Sequence, residues 1–204
     1  IGPLERKGNI KKTKKILDKV DLITLRDERS YKTLSEIGIE NKNVKVTADP
    51  ALDLDIADEK LGKAILKNEG VPSDKKLLGV SVRKWQNLGS DFETQIANAC
   101  DYAYEKYGYY TVFLPMQSSR DTAIMQNIKR KMKHESAIIK KRYSVEGMLS
   151  IIKCFDMCIG MRLHTLIYAA INSVPLIGLV YDPKINSFME YTHQRHYVDV
   201  NEVT

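Results

Sequence analysis

The sequence predicts an α/β fold, a doubly wound, mostly parallel sheet with helices on both faces. Short apolar runs alternate with amphipathic helical stretches along the whole chain, the order expected of repeated βαβ units. The runs, such as 77–82 and 175–181, are near-continuous and not alternating, as strands buried on both faces must be. The chain has 204 residues and is 43% apolar, enough for one sizeable core, and a fold of this length buries about 70% of its unfolded surface. A (β/α)₈ barrel shares the alternation but usually needs ~250 residues, so the open sheet is preferred. No internal repeat, low-complexity tract or linker interrupts the pattern, and 1–204 reads as a single domain.

Taken in order, Ile10, Thr13, Ile16, Leu17 and Val20 recur at helical spacing, with Lys11, Lys12, Lys14 and Lys15 on the opposite face. That is an amphipathic helix with a solvated basic side. A strand over 22–25 precedes a helix over 29–37, which Gly38 stops. A strand over 44–47 closes at Asp49-Pro50, and a helix over 59–68 ends before Gly70. A strand over 77–82 leads to a long helix over 92–107, ended by Gly108. The β-branched and aromatic run 109–114 is a strand stopped by Pro115. Ile124, Ile128 and Met132 form one stripe of a helix over 122–133, followed by a strand over 137–139. Ser144 caps a helix that runs to Phe155, with Glu146 in its first turn. A strand over 157–160, a helix over 163–171, a strand over 175–181, a helix over 183–191 and a strand over 197–200 complete the chain.

The net charge is +6, which raises a nucleic-acid or anionic-membrane partner. The charge is not spread evenly. Residues 1–20 carry seven Lys/Arg against Glu5 and Asp18, and 129–142 carry seven against Glu135, so the remaining 170 residues sum to −5. The excess sits on two segments that read as solvated helix faces and a loop. Cys100, Cys154 and Cys158 are an odd set, and the four-residue step from Cys154 to Cys158 fits neither a redox pair nor a zinc half-site. A reducing, cytoplasmic compartment follows. No run reaches the ~18 apolar residues of a membrane span. The chain opens on Ile1-Gly2-Pro3 without an initiator Met or signal pattern, so it reads as part of something longer.

In an open α/β sheet, ligands bind beyond the carboxyl ends of the strands. Arg26-Asp27, Asp49, Arg83 with Lys84, Arg162 with His164, and Asp182 with Lys184 stand at five such ends. Four of the five offer a cation, and the helix N-termini that follow add positive potential. The arrangement suits a small, multiply charged anion. Gly-rich dinucleotide and P-loop motifs are absent, as is a zinc-protease helix. His193 and His196 read as surface residues near a helix end, and His134 as solvated among lysines. Arg162-Leu163-His164 is the most specific local signal, because side chains two apart share a face only in an extended or turning segment. The bland alternative pairs Arg162 with Asp156 or Asp182 and uses His164 as a helix cap. Likewise, Arg26-Asp27 can be a surface ion pair, Asp182-Pro183-Lys184 a turn before a helix, and Trp85 either core or site lining.

Together these motifs resemble the polysaccharide pyruvyl transferase family. The residues are Gly2-Pro3, Leu25-Arg26-Asp27 with Ser30, Thr47-Ala48-Asp49-Pro50, Ser81-Val82-Arg83, Ile159-Gly160-Met161-Arg162-Leu163-His164, and Val174-Pro175 through Tyr181-Asp182-Pro183-Lys184. Their order matches the family's C-terminal half. The resemblance implies a Rossmann-like domain, one half of a GT-B-type fold, whose N-terminal acceptor half would precede Ile1. It implies transfer of a pyruvyl group from phosphoenolpyruvate to a saccharide of a cell-surface or cell-wall polysaccharide precursor, free or lipid-linked, with release of phosphate. Arg83, Arg162, Lys184 and Arg26 would hold the donor's anionic groups. His164 would supply acid–base catalysis, its reference pKa of about 6.5 being suited to that task. This scheme calls for no metal or cofactor.

Two rivals stand beside it. A GT-B glycosyltransferase with a nucleotide-sugar donor keeps the architecture, but it wants an acidic ribose contact that the penultimate strand end does not supply. A basic binding module for nucleic acid or an anionic membrane draws on the two basic segments, but no nucleic-acid motif accompanies them.

Overall fold

The computed structural model describes residues 4, 6–86, 88–89 and 91–203. Gly2-Pro3 of the family pattern lies outside them. The chain forms two compact units, Ile1–Asp53 and Leu54–Thr204.

The first unit contains helix α1 (Lys7–Leu17), strand β1 (Ile23–Leu25), helix α2 (Glu28–Glu36), strand β2 (Val44–Val46) and a short turn of helix at Pro50–Asp53. Strands β1 and β2 pair in parallel, Ile23 opposite Val44. Asp27 caps α2 by accepting the Ser30 N–H at 2.7 Å, satisfying one of the donors that a helix start leaves open. Past its end, Gly38 adopts φ +73, which glycine takes at no steric cost.

The second unit holds α3 (Glu59–Asn68), β3 (Lys76–Ser81), α4 (Phe92–Tyr107), β4 (Tyr109–Phe113), α5 (Ser118–Lys131), β5 (Ser136–Ile138), α6 (Val145–Lys153), β6 (Met157–Gly160), α7 (Leu163–Ile171), β7 (Leu176–Val180), α8 (Pro183–Tyr191) and β8 (Tyr197–Asp199). The six strands lie in the order β5-β4-β3-β6-β7-β8, and every neighbouring pair is parallel. The predicted doubly wound sheet is therefore present. The chain steps outward from β3 to β5, returns to place β6 against the free side of β3, then steps outward the other way.

Both faces are covered, as the apolar strands require. Leu78, Val80 and Val82 pack with Phe92, Ile96 and Cys100 from α4 and Ile124, Met125 and Ile128 from α5. Neighbouring side chains along a strand alternate faces, and a Cβ on Gly79 would lie 2.1 Å from the Phe155 ring. The other face is thus roofed by Phe155, by Leu166 of α7 over Gly160 and by Met189 of α8 over Gly178. Helix α3 meets α6 so closely that a Cβ on Gly62 would lie 2.0 Å from the Ser150 carbonyl oxygen.

Several element ends lie a residue or more from the sequence expectation, and two helices show it most clearly. Helix α5 starts at Ser118, not 122, because the Asp121 carboxylate reaches back to accept the Gln117 N–H at 2.9 Å. Helix α6 stops at Lys153, two residues early, with Cys154 at its C-cap. A surface latch fixes the basic loop after β5. Glu69, at the end of α3, accepts N–H bonds from Lys140 at 2.9 Å and Lys141 at 3.2 Å and the Tyr143 hydroxyl at 2.7 Å. Partial burial pushes the Glu69 pKa up, and these three donors outweigh it, leaving the carboxyl below its ordinary range. Burial and the neighbouring Glu69 push the Tyr143 hydroxyl up to about 12. Among the described residues no helix is long and apolar enough to cross a membrane.

Candidate active site at the reversal of the sheet

The strand order changes direction between β3 and β6, and such a reversal opens a crevice beyond the strands' carboxyl ends. Ser81 pairs with Gly160 across this junction. Arg83 and Arg162 each follow two residues later, so the backbone brings them to the same level on neighbouring strands. The Met161 N–H donates to the Ser81 carbonyl at 2.7 Å, and the Arg83 N–H to the Met161 sulfur at 3.4 Å.

Arg83 is half-buried in an aromatic setting. Its Nη1 donates to the Tyr181 hydroxyl at 3.1 Å, and its Cζ lies 5.3 Å from the ring centroids of both Trp85 and Tyr181. The two rings meet edge to face at 4.8 Å. Cation–π attraction to both rings holds the guanidinium in place. Lys184 Nζ also lies 5.3 Å from the Tyr181 centroid, so one ring gathers cations from the ends of β3 and β7. Lys184 keeps a carboxylate neighbour, Asp182, at 3.5 Å. Among the described residues Arg83 has no such partner, and its buried Nε has no hydrogen bond. Among these residues its charge is uncompensated.

Arg162 is held differently. Nε donates to Asp121 Oδ2 at 3.1 Å, and Nη2 donates to Asp121 Oδ1 and, at 3.3 Å, to Gln117 Oε1. Asp121 is 0% exposed. One edge of the guanidinium is therefore bound to a buried carboxylate, and only Nη1 is without a partner among the described residues. The carboxylates expected beside Arg162 have other work. Asp156 accepts the Leu77 N–H at 2.8 Å, and Asp182 caps α8 through the Lys184 N–H at 3.0 Å.

His164 stands exposed in the first turn of α7, its ring 6.1 Å from that of Tyr168. Arg162 occupies the N-cap of that helix without capping it, and the first turn has no acidic residue, so the positive end of the helix dipole is not offset there. Arg26 belongs to the first unit. Its Nε lies 3.4 Å from Asp27 and its Nη1 3.3 Å from Asp49, the ion-pair alternative with a second carboxylate added. His134, expected to be solvated, keeps a side chain 28% exposed but also stacks on Tyr104 at 4.1 Å and has its Nε2 3.1 Å from Glu105. Among the described residues no group of three or more His, Cys, Asp or Glu is placed to hold a metal ion.

Asp121 is the member of the site that sequence reasoning missed. An acidic residue at a helix start ordinarily offsets the dipole, and nothing in the sequence links it to an arginine 41 positions later. Tyr181 lay within a quoted motif without a role.

The profile of the family described as "Polysaccharide pyruvyl transferase" matches residues 1–183. A search of curated proteins gave no match. Among solved structures, the UDP-GlcNAc 2-epimerase of Methanocaldococcus jannaschii, in complex with UDP-GlcNAc and UDP, is similar at 16% identity with a TM-score of 0.64 over 88% of this chain and 51% of that one. S. aureus MnaA bound to UDP is similar at 14% identity and TM-score 0.64, over 94% and 50%. A family 9 glycosyl transferase of Veillonella parvula DSM 2008 gives 14% identity and TM-score 0.54, over 90% and 50%. At these identities the likeness concerns the fold, which is GT-B-type and Rossmann-like. The chain spans about half the length of each of these structures.

Proposed function

Because the chain belongs to the polysaccharide pyruvyl transferase family, we propose that it is the donor-binding domain of a transferase that moves a pyruvyl group from phosphoenolpyruvate to a saccharide. The observation that carries this reading is the uncompensated guanidinium of Arg83 at the reversal of the sheet. Phosphoenolpyruvate bears a carboxylate and a phosphate of about −1.5 to −2 charge, and a planar guanidinium fork suits both. Arg83 is the principal anion receptor, Lys184 adds charge across the Tyr181 ring, and Arg162 contributes through Nη1. Arg26, paired with two carboxylates, has the weakest support.

In the reaction two acceptor hydroxyl oxygens bond to the donor's central carbon, and the bond from that carbon to the phosphate oxygen breaks. One hydroxyl proton is matched by the proton that turns the methylene into a methyl group, and the other leaves with phosphate or solvent. His164, exposed at the start of α7 and two residues after Arg162, is the acid–base residue. The acceptor, free or lipid-linked, is held largely by a separate N-terminal half of the whole protein. The basic segments rest against that half or the inner face of a membrane, with the enzyme in the cytoplasm.

The test is phosphate release from phosphoenolpyruvate by the full-length protein with saccharide acceptors. His164→Ala is expected to lower turnover by about 10²- to 10⁴-fold, and normal turnover would sink the assignment. A second reading, a nucleotide-sugar donor, draws on UDP in two of the similar structures. Competition decides between them, since UDP-GlcNAc that displaces phosphoenolpyruvate at lower concentration favours the second.

A further inference from the structure

We propose that Asp121 is a positioning residue for the donor anion, which aims Arg162 and lowers the positive charge of the crevice. The inference rests on the pyruvyl-transfer reading and adds a residue to it. A carboxylate that is 0% exposed must be paired, because an isolated buried charge is strongly disfavoured. Asp121 is paired on both oxygens, with Arg162 and the Gln117 N–H.

The geometry restricts Arg162 more than a surface ion pair would. A guanidinium is planar, and its Nε–Nη2 edge is fixed by Asp121 while Nη2 also reaches Gln117 Oε1. The Nη1 group alone then has hydrogens to offer, in a direction fixed by α5. The charge consequence is separate. The Asp121–Arg162 pair is formally neutral, as is Lys184 with Asp182, which leaves Arg83 as the one of these three cations without a carboxylate partner among the described residues. Such a site binds a donor that carries both a carboxylate and a phosphate without retaining the phosphate product as tightly as two free arginines would.

Asp121→Asn keeps the shape and removes the charge. In this chain it is expected to raise affinity for inorganic phosphate by roughly three- to tenfold at low salt, since an opposing charge within hydrogen-bond distance of Arg162 is gone. That gain should vanish in the Asp121→Asn/Arg162→Ala double variant. In the full-length enzyme, kcat should fall by about tenfold or more without a rise in the donor KM, because a misaligned fork and slower phosphate release act after binding. A purely structural carboxylate would lower the melting temperature and leave phosphate affinity unchanged, and that outcome overturns the proposal.

Should Asp121→Asn fail to fold, Gln117→Ala removes one restraint on Nη2 without changing charge. A severalfold fall in kcat at an unchanged melting temperature and donor KM supports the role, and an unchanged kcat overturns it. The underlying reading is tested separately. Wild-type chain that binds neither phosphate nor phosphoenolpyruvate overturns pyruvyl transfer itself. Wild-type binding with an indifferent Asp121→Asn overturns only the role of Asp121.

Discussion

Replacing Arg83 by alanine tests the site at its centre. The side chain gives one hydrogen bond to Tyr181 and lies over two aromatic rings, and no carboxylate among the described residues neutralises it. Its hydrogen bonds to a donor anion would be charge-assisted, each contributing about 1.5–3 kcal/mol. At 1.4 kcal/mol per factor of ten, losing one such bond weakens binding by about 10- to 150-fold. Trp85 supplies the assay, because it is the sole tryptophan of the chain and its ring lies 5.3 Å from the guanidinium. Titration with phosphoenolpyruvate should change its fluorescence, and calorimetry gives the dissociation constant of the variant independently. Arg83→Lys keeps the charge without the fork and should fall between wild type and alanine. Added salt should weaken wild-type binding more than that of the alanine variant. Folded Arg83→Ala protein that binds phosphoenolpyruvate within a factor of two of wild type would refute the reasoning.

Other consequences concern stability and reactivity. Gly62→Ala places a methyl 2.0 Å from a backbone oxygen of α6 and 2.7 Å from the Cys154 sulfur. The better helix propensity of alanine cannot offset that, so thermal unfolding should show a loss of about 1–3 kcal/mol. Glu69→Gln should destabilise the protein in a pH-dependent way. The folded Glu69 pKa is lowered, so its contribution is complete above the ordinary value of about 4.3 and is lost as pH falls through the folded value. The melting difference between wild type and variant should therefore shrink in acid, and a constant difference counts against the latch. Burial pushes the Cys100 and Cys158 thiols up to about 12 and Cys154 to about 11. At pH 8 about one thiol in a thousand or fewer is then ionised, so alkylation should await denaturation.

The fold was legible because parallel strands buried on both faces write themselves as unbroken apolar runs, and 77–82 and 157–160 could be placed without knowing their neighbours. The candidate positions followed from topology, since what stands just past a strand lies at the carboxyl end of the sheet, where such folds bind ligands. What could not be read was which cations were already neutralised. Arg26 meets Asp27 beside it but also Asp49, and Arg162 meets Asp121. Pairs of that kind depend on where α5 begins, which in turn depends on a side-chain reach-back that leaves no periodicity. Tyr181 illustrates the same limit. Its ring is a site element only because β7 ends close enough to β3 for Arg83 and Lys184 to share it.

The junction of β3 with β6 has a consequence for how the chain folds. The Leu77 N–H meets the Asp156 carboxylate across 79 positions of sequence, while every other pair of adjacent strands in the sheet joins segments closer along the chain. Closing that joint therefore carries the largest loop entropy in the sheet. On a ribosome the stretch from β3 to β5 can form its contacts early, but the crevice exists only after β6 has emerged. An anion bound there would favour the joined state by mass action, so ligand and seam would stabilise one another as the last strands dock.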